Sequence, residues 1–367
     1  MPTLTDSSFF DNSLTATFSA AATVDKVALV QLLWRSGSTN LGGDQAAICT
    51  ALVRHLEHES SSVREHQSSF ATVTLQEIAD MIDTLQSGST RTLTELIEEK
   101  RKQVINFDAD SYQRSLELCV RLWLTTNVNS CAVVVGRTSY REQTLDWSGR
   151  DSLQDLASRA FVKKTTLPIR QGGASIDSIF TADYLVSSCG FRLVWTNYLS
   201  SHLKLDPSRR FLLVFRHKQY LQLQCNGATS GPINSDVFDE ALDTLNLLFP
   251  YGDDSTEQLL IKHREQDFYE LGTCGRKRLL DLERYKYWRE ELQTLLEVFD
   301  SPPRNWRQLA LNRRNKLEWS AFWVTMMVAF LTLVSIPCAI IQAVYSVKSY
   351  QVAVAQAQLA EAGHDEI

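Results

Sequence analysis

The sequence predicts a mainly α-helical protein with a small α+β central unit and a single C-terminal transmembrane helix. Three observations carry that reading. Apolar residues recur at three- and four-residue spacing through the first third, behind helix-capping signals. Short β-branched runs bounded by Gly and polar turns gather between residues 131 and 230. The stretch Trp319–Val347 holds no charged residue at all.

Residues 1–23 read as a flexible polar arm. The first basic residue is Lys26, so the basic start of a secretory signal is missing and none is expected. Residues 24–130 form a helical region. Asp44, after Gly42-Gly43, reads as an N-cap. The stretch RHLEHESSSVREH carries His55, His58 and His66 beside Glu59, and reads as a solvated helix face. Thr74 and Glu77 have capping-box spacing, and Leu75, Ile78, Ile82 and Leu85 then share a face. Thr92 and Glu95 repeat the signal for a helix with the charged face EEKRK. Leu116, Val120, Trp123 and Leu124 mark a core helix.

Residues 131–230 are the α+β unit. Cys131–Gly136 and Phe191–Thr196 predict strands, with helical TADYLVSSCG before the second. NYLSSHLKLD predicts a short amphipathic helix. RRFLLVFRHKQYLQLQ predicts two strands about the turn Arg216–Gln219. In the helical region 231–300, the face from Phe238 to Phe249 ends at Pro250 and Gly252. One long helix is expected over 275–300, with Tyr285, Tyr287 and Trp288 on a mixed exposed face. Residues 301–318 are a Pro/Arg-rich juxtamembrane hinge, 319–347 the transmembrane helix, and 348–367 a short polar tail.

The uncharged run has 29 residues, or roughly 43 Å of helix. A bilayer core is about 30 Å thick. Trp319 and Trp323 at one end and Tyr345 at the other suit the two headgroup levels. Arg313, Arg314 and Lys316 precede the run, and only Lys348 follows closely. That asymmetry puts the bulk of the chain in the cytosol, on an intracellular membrane, as a tail-anchored single-pass protein.

The formal net charge of −6 argues against a nucleic-acid partner. Seven scattered cysteines without a C-x-x-C pair suit a reducing compartment and not a disulfide frame or zinc site. Phosphate-loop, dinucleotide, zinc-protease and serine-hydrolase motifs are missing, so no cofactor or metal is expected. The densest polar cluster is Trp195, His202, Asp206, His217 and Lys218. On a helix, His202 and Asp206 would share a face, and an oriented imidazole is a general base. The alternative is structural: His202 capping its helix, His217 solvated in a strand turn.

Three elements carry a resemblance: W-T-x-x-L-x-x-H-L at Trp195–Leu203, L-L-F-P at Leu247–Pro250, and R-R-N-K-x-x-W…F-W from Arg313 to Trp323. Over residues 115–352 the chain resembles a large, uncharacterised fungal family of single-pass proteins with a C-terminal transmembrane helix. Ile336-Pro337-Cys338 stand where related spans carry Gly. The family implies membrane anchoring, and no reaction or catalytic residue.

Two functions follow. The first is a membrane-anchored protein whose cytosolic domain binds a protein partner, with the lipid bilayer as its other contact. The alternative is a membrane-tethered accessory enzyme of fungal secondary metabolism, a cyclase or isomerase acting on a small apolar metabolite. The enzyme requires Trp195, His202, Asp206 and His217 to converge in one roomy pocket.

Overall fold

The computed structural model describes residues 14, 18, 23–34, 45–131, 142–164, 174–206, 208–226, 231–301 and 316–362. The expected strand after Cys131, the Gly-Gly-Asp turn before Gln45, and the pair Arg313–Arg314 lie outside the described residues. The chain divides into two compact units, Met1–Ser301 and Pro302–Ile367.

In the first unit, α1 (Thr23–Trp34) packs on α2 (Gln45–Glu65). Helices α3 (Leu75–Ser87) and α4 (Leu93–Gln103) each begin at the expected capping box. Thr74 Oγ1 accepts from Glu77 N at 3.3 Å, and the Glu77 carboxylate accepts from Thr74 N at 3.0 Å. These reciprocal bonds satisfy amides that the first helical turn leaves free. Helix α5 (Ala109–Leu124) is central: every side chain from Ser115 onward is buried, and it packs on α2, α3 and α4. Leu14 and Phe18 fall in the stretch expected to be a loose arm, yet both are buried in the core. Leu14 N donates to Val73 O at 2.7 Å, which ties this point of the arm to the lead-in of α3.

Strands β1 (Val128–Asn129) and β2 (Leu145–Asp146) form a two-residue parallel ladder, followed by α6 (Leu153–Ala160) and α7 (Ala182–Ser187). Strands β3 (Arg192–Thr196), β4 (Leu205–Asp206) and β5 (Phe211–Phe215) make the second sheet in the order β3-β5-β4. β3 runs parallel to β5, and β4 antiparallel. Helices α8 (Lys218–Asn226), α9 (Ser235–Leu248), α10 (Asp254–His263), α11 (Gln266–Glu270) and α12 (Arg289–Asp300) complete the unit.

The fold departs from the sequence expectation in several places. NYLSSHLKLD is not an α-helix: it makes a 3₁₀ turn at Leu199–Ser201 and then β4. Leu203 at φ 57° reverses the chain and forbids helix continuation. The second strand expected after Arg216 is helix α8. Its Lys, Gln and Leu residues are good helix formers, none is β-branched, and α9 and α2 supply the packing surface.

The long helix expected from residue 275 begins only at Arg289. Residues 280–282 instead pair with 174–176 through Ile176 N–Leu280 O and Leu282 N–Ala174 O, both 2.8 Å. Arg276 clamps Asp243 at 2.7 and 2.9 Å, and Arg278 donates to the Ser178, Phe180 and Leu247 carbonyls. Tyr285, Tyr287 and Trp288 are therefore buried, not exposed.

The second unit holds α13 (Lys316–Ala362), which continues through the segment expected to be a short polar tail. Within it, Trp319–Gln356 is apolar, unburied, and long enough to cross a membrane. Pro337 lies inside this helix. The hydroxyls of Thr325 and Thr332 each donate to the carbonyl four residues earlier, at 2.8 Å. These two hydroxyls thus find their partners within the helix itself.

Candidate functional site

Each member of the predicted cluster has its own setting. β3 holds Trp195, whose ring stacks on Phe249 and meets Phe268, both at 5.7 Å between centroids. The turn after the 3₁₀ segment carries His202. Its Nδ1 accepts from Phe215 N at 3.2 Å, so Nε2 bears the proton and donates to Thr244 Oγ1 at 2.7 Å. The Thr244 hydroxyl passes the chain on to the Ala241 carbonyl at 2.7 Å. Burial lowers the His202 pKa to about 3, and the imidazole is neutral. Trp288 Nε1 donates to the His202 carbonyl at 3.1 Å, which fastens the segment before α12 onto the sheet.

Asp206 works locally. Its Oδ1 accepts from Ser208 N, Ser208 Oγ and Arg209 N at 3.1, 2.6 and 3.1 Å. The Ser208 hydroxyl, foremost, holds this carboxyl below its usual range. It closes the β4–β5 turn and makes no bond to His202 there.

His217 and Lys218 stand at the start of α8 and are buried, not solvated. His217 Nε2 donates to Asn197 Oδ1 at 3.0 Å, and its ring centre is 4.9 Å from that of His55. Lys218 Nζ donates to the Gly272 carbonyl at 2.5 Å and lies 4.9 Å over the Phe268 ring. Burial lowers its pKa to about 8. Trp195 and Lys218 thus share Phe268, and His202 and His217 both touch Phe215. Packing ties these four together, and of the five only His202 lines the cleft described below.

A buried polar centre emerges where the sequence suggested a solvated face. His55 and Glu59 on α2 are 1% and 4% exposed. Arg121 of α5 meets Glu59 at 3.2 Å and Glu117 at 3.6 Å. Tyr198 OH donates to Glu59 at 2.9 Å, and His55 Nε2 donates to the Arg121 carbonyl at 3.3 Å. Glu117 also receives Ser130 Oγ at 2.6 Å and Cys131 N at 3.0 Å. The local signal was the i,i+4 pair Glu117–Arg121 inside the otherwise apolar stretch Leu116–Leu124. His55 Nδ1 and His217 Nδ1 are buried here without hydrogen-bond partners. Among the described residues no group of three or more His, Cys, Asp or Glu is placed to hold a metal.

A cleft of about 440 Å³ opens beside His202, lined by Tyr287, Trp288, Arg159, Lys164 and Glu291 among others. Lys164 is paired with Glu291 and, at 3.2 Å, with Glu290. Both ring nitrogens of His202 are engaged by Phe215 and Thr244, so the cleft receives no free imidazole from it. Comparison with protein-family models, curated proteins and solved structures returned no match.

Proposed function

We propose that this is a single-pass membrane protein whose folded body, up to Ser301, binds a protein partner and performs no catalysis. The observation that carries the reading is α13: within the 38 residues Trp319–Gln356 its apolar window has no buried residue. An unburied apolar helix in water exposes its whole side-chain surface at a large cost, and a bilayer removes that cost. Arg313, Arg314 and Lys316 before the span, against Lys348 after it, support a cytosolic body on an intracellular membrane. The family resemblance points the same way.

The setting of the two candidate imidazoles supports binding over chemistry: His217 keeps Nδ1 without a partner but is buried, and only His202 lines a cleft. A general base needs a free nitrogen within reach of a substrate, and His202 has neither nitrogen free. The alternative of an accessory enzyme for an apolar metabolite rests on a convergence of Trp195, His202, Asp206 and His217 that the side-chain partners do not support.

Alkaline carbonate extraction of membranes from cells making the full chain tests the anchor. The protein should stay in the pellet, and a variant lacking 319–356 should move to the supernatant. Stripping of the full chain by carbonate would overturn the reading. Protease added outside sealed vesicles should digest the body; protection would reverse the orientation.

A further inference from the structure

The loop between α4 and α5 turns on Asn106, at φ 62°. Asn tolerates this left-handed conformation better than most residues. The turn presents Ile105, 90% exposed, with Val104 beside it at 41%. Below them α3, the loop and the start of α5 enclose a groove of about 410 Å³. Met81, Phe107 and Tyr112 give it apolar walls. Glu77, Asp80 and Asp108 stand around it against one ammonium, Lys100. Asp108 is held ionised chiefly by the Ser111 hydroxyl. Thr72 also lines the groove, and its hydroxyl is buried without a hydrogen-bond partner in a residue only 4% exposed.

We propose that this groove docks a basic amphipathic segment of a partner protein. One apolar side chain of that segment packs between Ile105 and Phe107, and flanking Lys or Arg residues face Asp80, Asp108 and Glu77. A polar group of the segment meets the Thr72 hydroxyl. Three carboxylates against one ammonium select a cationic occupant and repel phosphate, so neither nucleic acid nor an anionic lipid headgroup fits. An exposed isoleucine at the edge of a half-apolar groove is the usual form of helix-in-groove recognition. The inference rests on the reading of the body as a binding module and assigns its surface.

The test uses the full chain in native membranes. A photo-crosslinking amino acid replaces Ile105, with separate controls at exposed Tyr251 and at Lys204 beside the other cleft. Adducts are mapped by mass spectrometry. The expected result is an adduct at 105 to a segment with Lys or Arg around an apolar residue. Asp80→Lys should reduce its yield roughly tenfold by turning attraction into repulsion. Thr72→Val, which keeps the side chain's shape, should also reduce it. The Asp80 side chain is exposed and accepts from Gln76 Nε2 at 2.8 Å, and its backbone carbonyl, which takes the Thr84 hydroxyl, is kept on substitution, so its reversal leaves the fold intact. Adducts confined to Tyr251 or Lys204 would overturn the groove and leave the binding reading standing. No adduct at any position would overturn both. An adduct at 105 to an acidic segment, or one unchanged by Asp80→Lys, would also overturn the groove.

Discussion

Two imidazoles, His55 and His217, sit with ring centres 4.9 Å apart and no water-accessible surface to speak of. Burial is the first cause that lowers the pKa of each, as it is for His202. A histidine whose folded pKa lies below its unfolded value of about 6.5 binds more protons when unfolded. The stability it contributes is present above pH ~6.5 and is lost as pH falls through the folded values. Urea unfolding of the body should therefore show a midpoint that drops steadily from pH 7 to pH 4. A midpoint flat across that window would contradict the buried neutral histidines. Arg121 is a second test at this scale. Removing one partner of a buried ion pair leaves the other charge uncompensated, at about 3–5 kcal/mol. Arg121→Ala should cost that much in equilibrium denaturation, because it strands Glu59 and Glu117. Sequence reading placed His55 and Glu59 on a solvated face because polar residues at helical spacing say nothing about what covers them.

At the scale of the element, α3, α4, α5 and α9 were legible because their signals are local. A Thr with a Glu three residues on, an apolar repeat and a closing Gly or Pro all act within a few residues. The segment 275–288 was not legible. Its leucines have helical spacing, yet Arg276, Arg278 and the pairing with residues 174–176 keep 276–281 out of a helix, and only a 3₁₀ turn at Leu282–Arg284 follows. The decisive contact is Glu240 on α9. Its carboxylate accepts the backbone amides of Lys286, Tyr287 and Trp288 at 2.7, 2.7 and 2.8 Å. It takes the place of an N-cap for α12, since Trp288 makes no side-chain cap. Burial raises the Glu240 pKa against the pull of these three bonds, with burial the larger effect. Glu240→Ala orphans three backbone donors, two of them buried, and should cost several kcal/mol, taking each buried one at roughly 1–3 kcal/mol. Glu240→Gln keeps one carbonyl acceptor and should cost less. Equal effects of the two, measured by thermal or urea unfolding, would remove the carboxylate from this role.

For the whole molecule, the body's core lies within the unit ending at Ser301 and the apolar helix lies in the other unit. A chain ending at Ser301 should unfold cooperatively with the urea midpoint of the full-length protein in detergent. A loss of cooperativity, or a midpoint lowered on truncation, would show that the body depends on residues 302–367. The expectation follows from the core cluster, whose members among the described residues all precede Ser301.

By itself, the sequence determined the helix-rich class, the capped helices of the first third and the long apolar span. Each is written in a contiguous pattern: a period, a cap, or an unbroken run of uncharged residues whose preference for hydrocarbon needs no partner. Only the tertiary structure decided that His202 and His217 serve separate hydrogen-bonded sites, that Arg121 and Glu240 anchor the core, and that a groove with carboxylates around it opens between α3 and the α4–α5 loop. Those outcomes depend on which distant side chains meet in a low-dielectric interior, where a charge or an imidazole takes its state from its neighbours and not from its place in the chain.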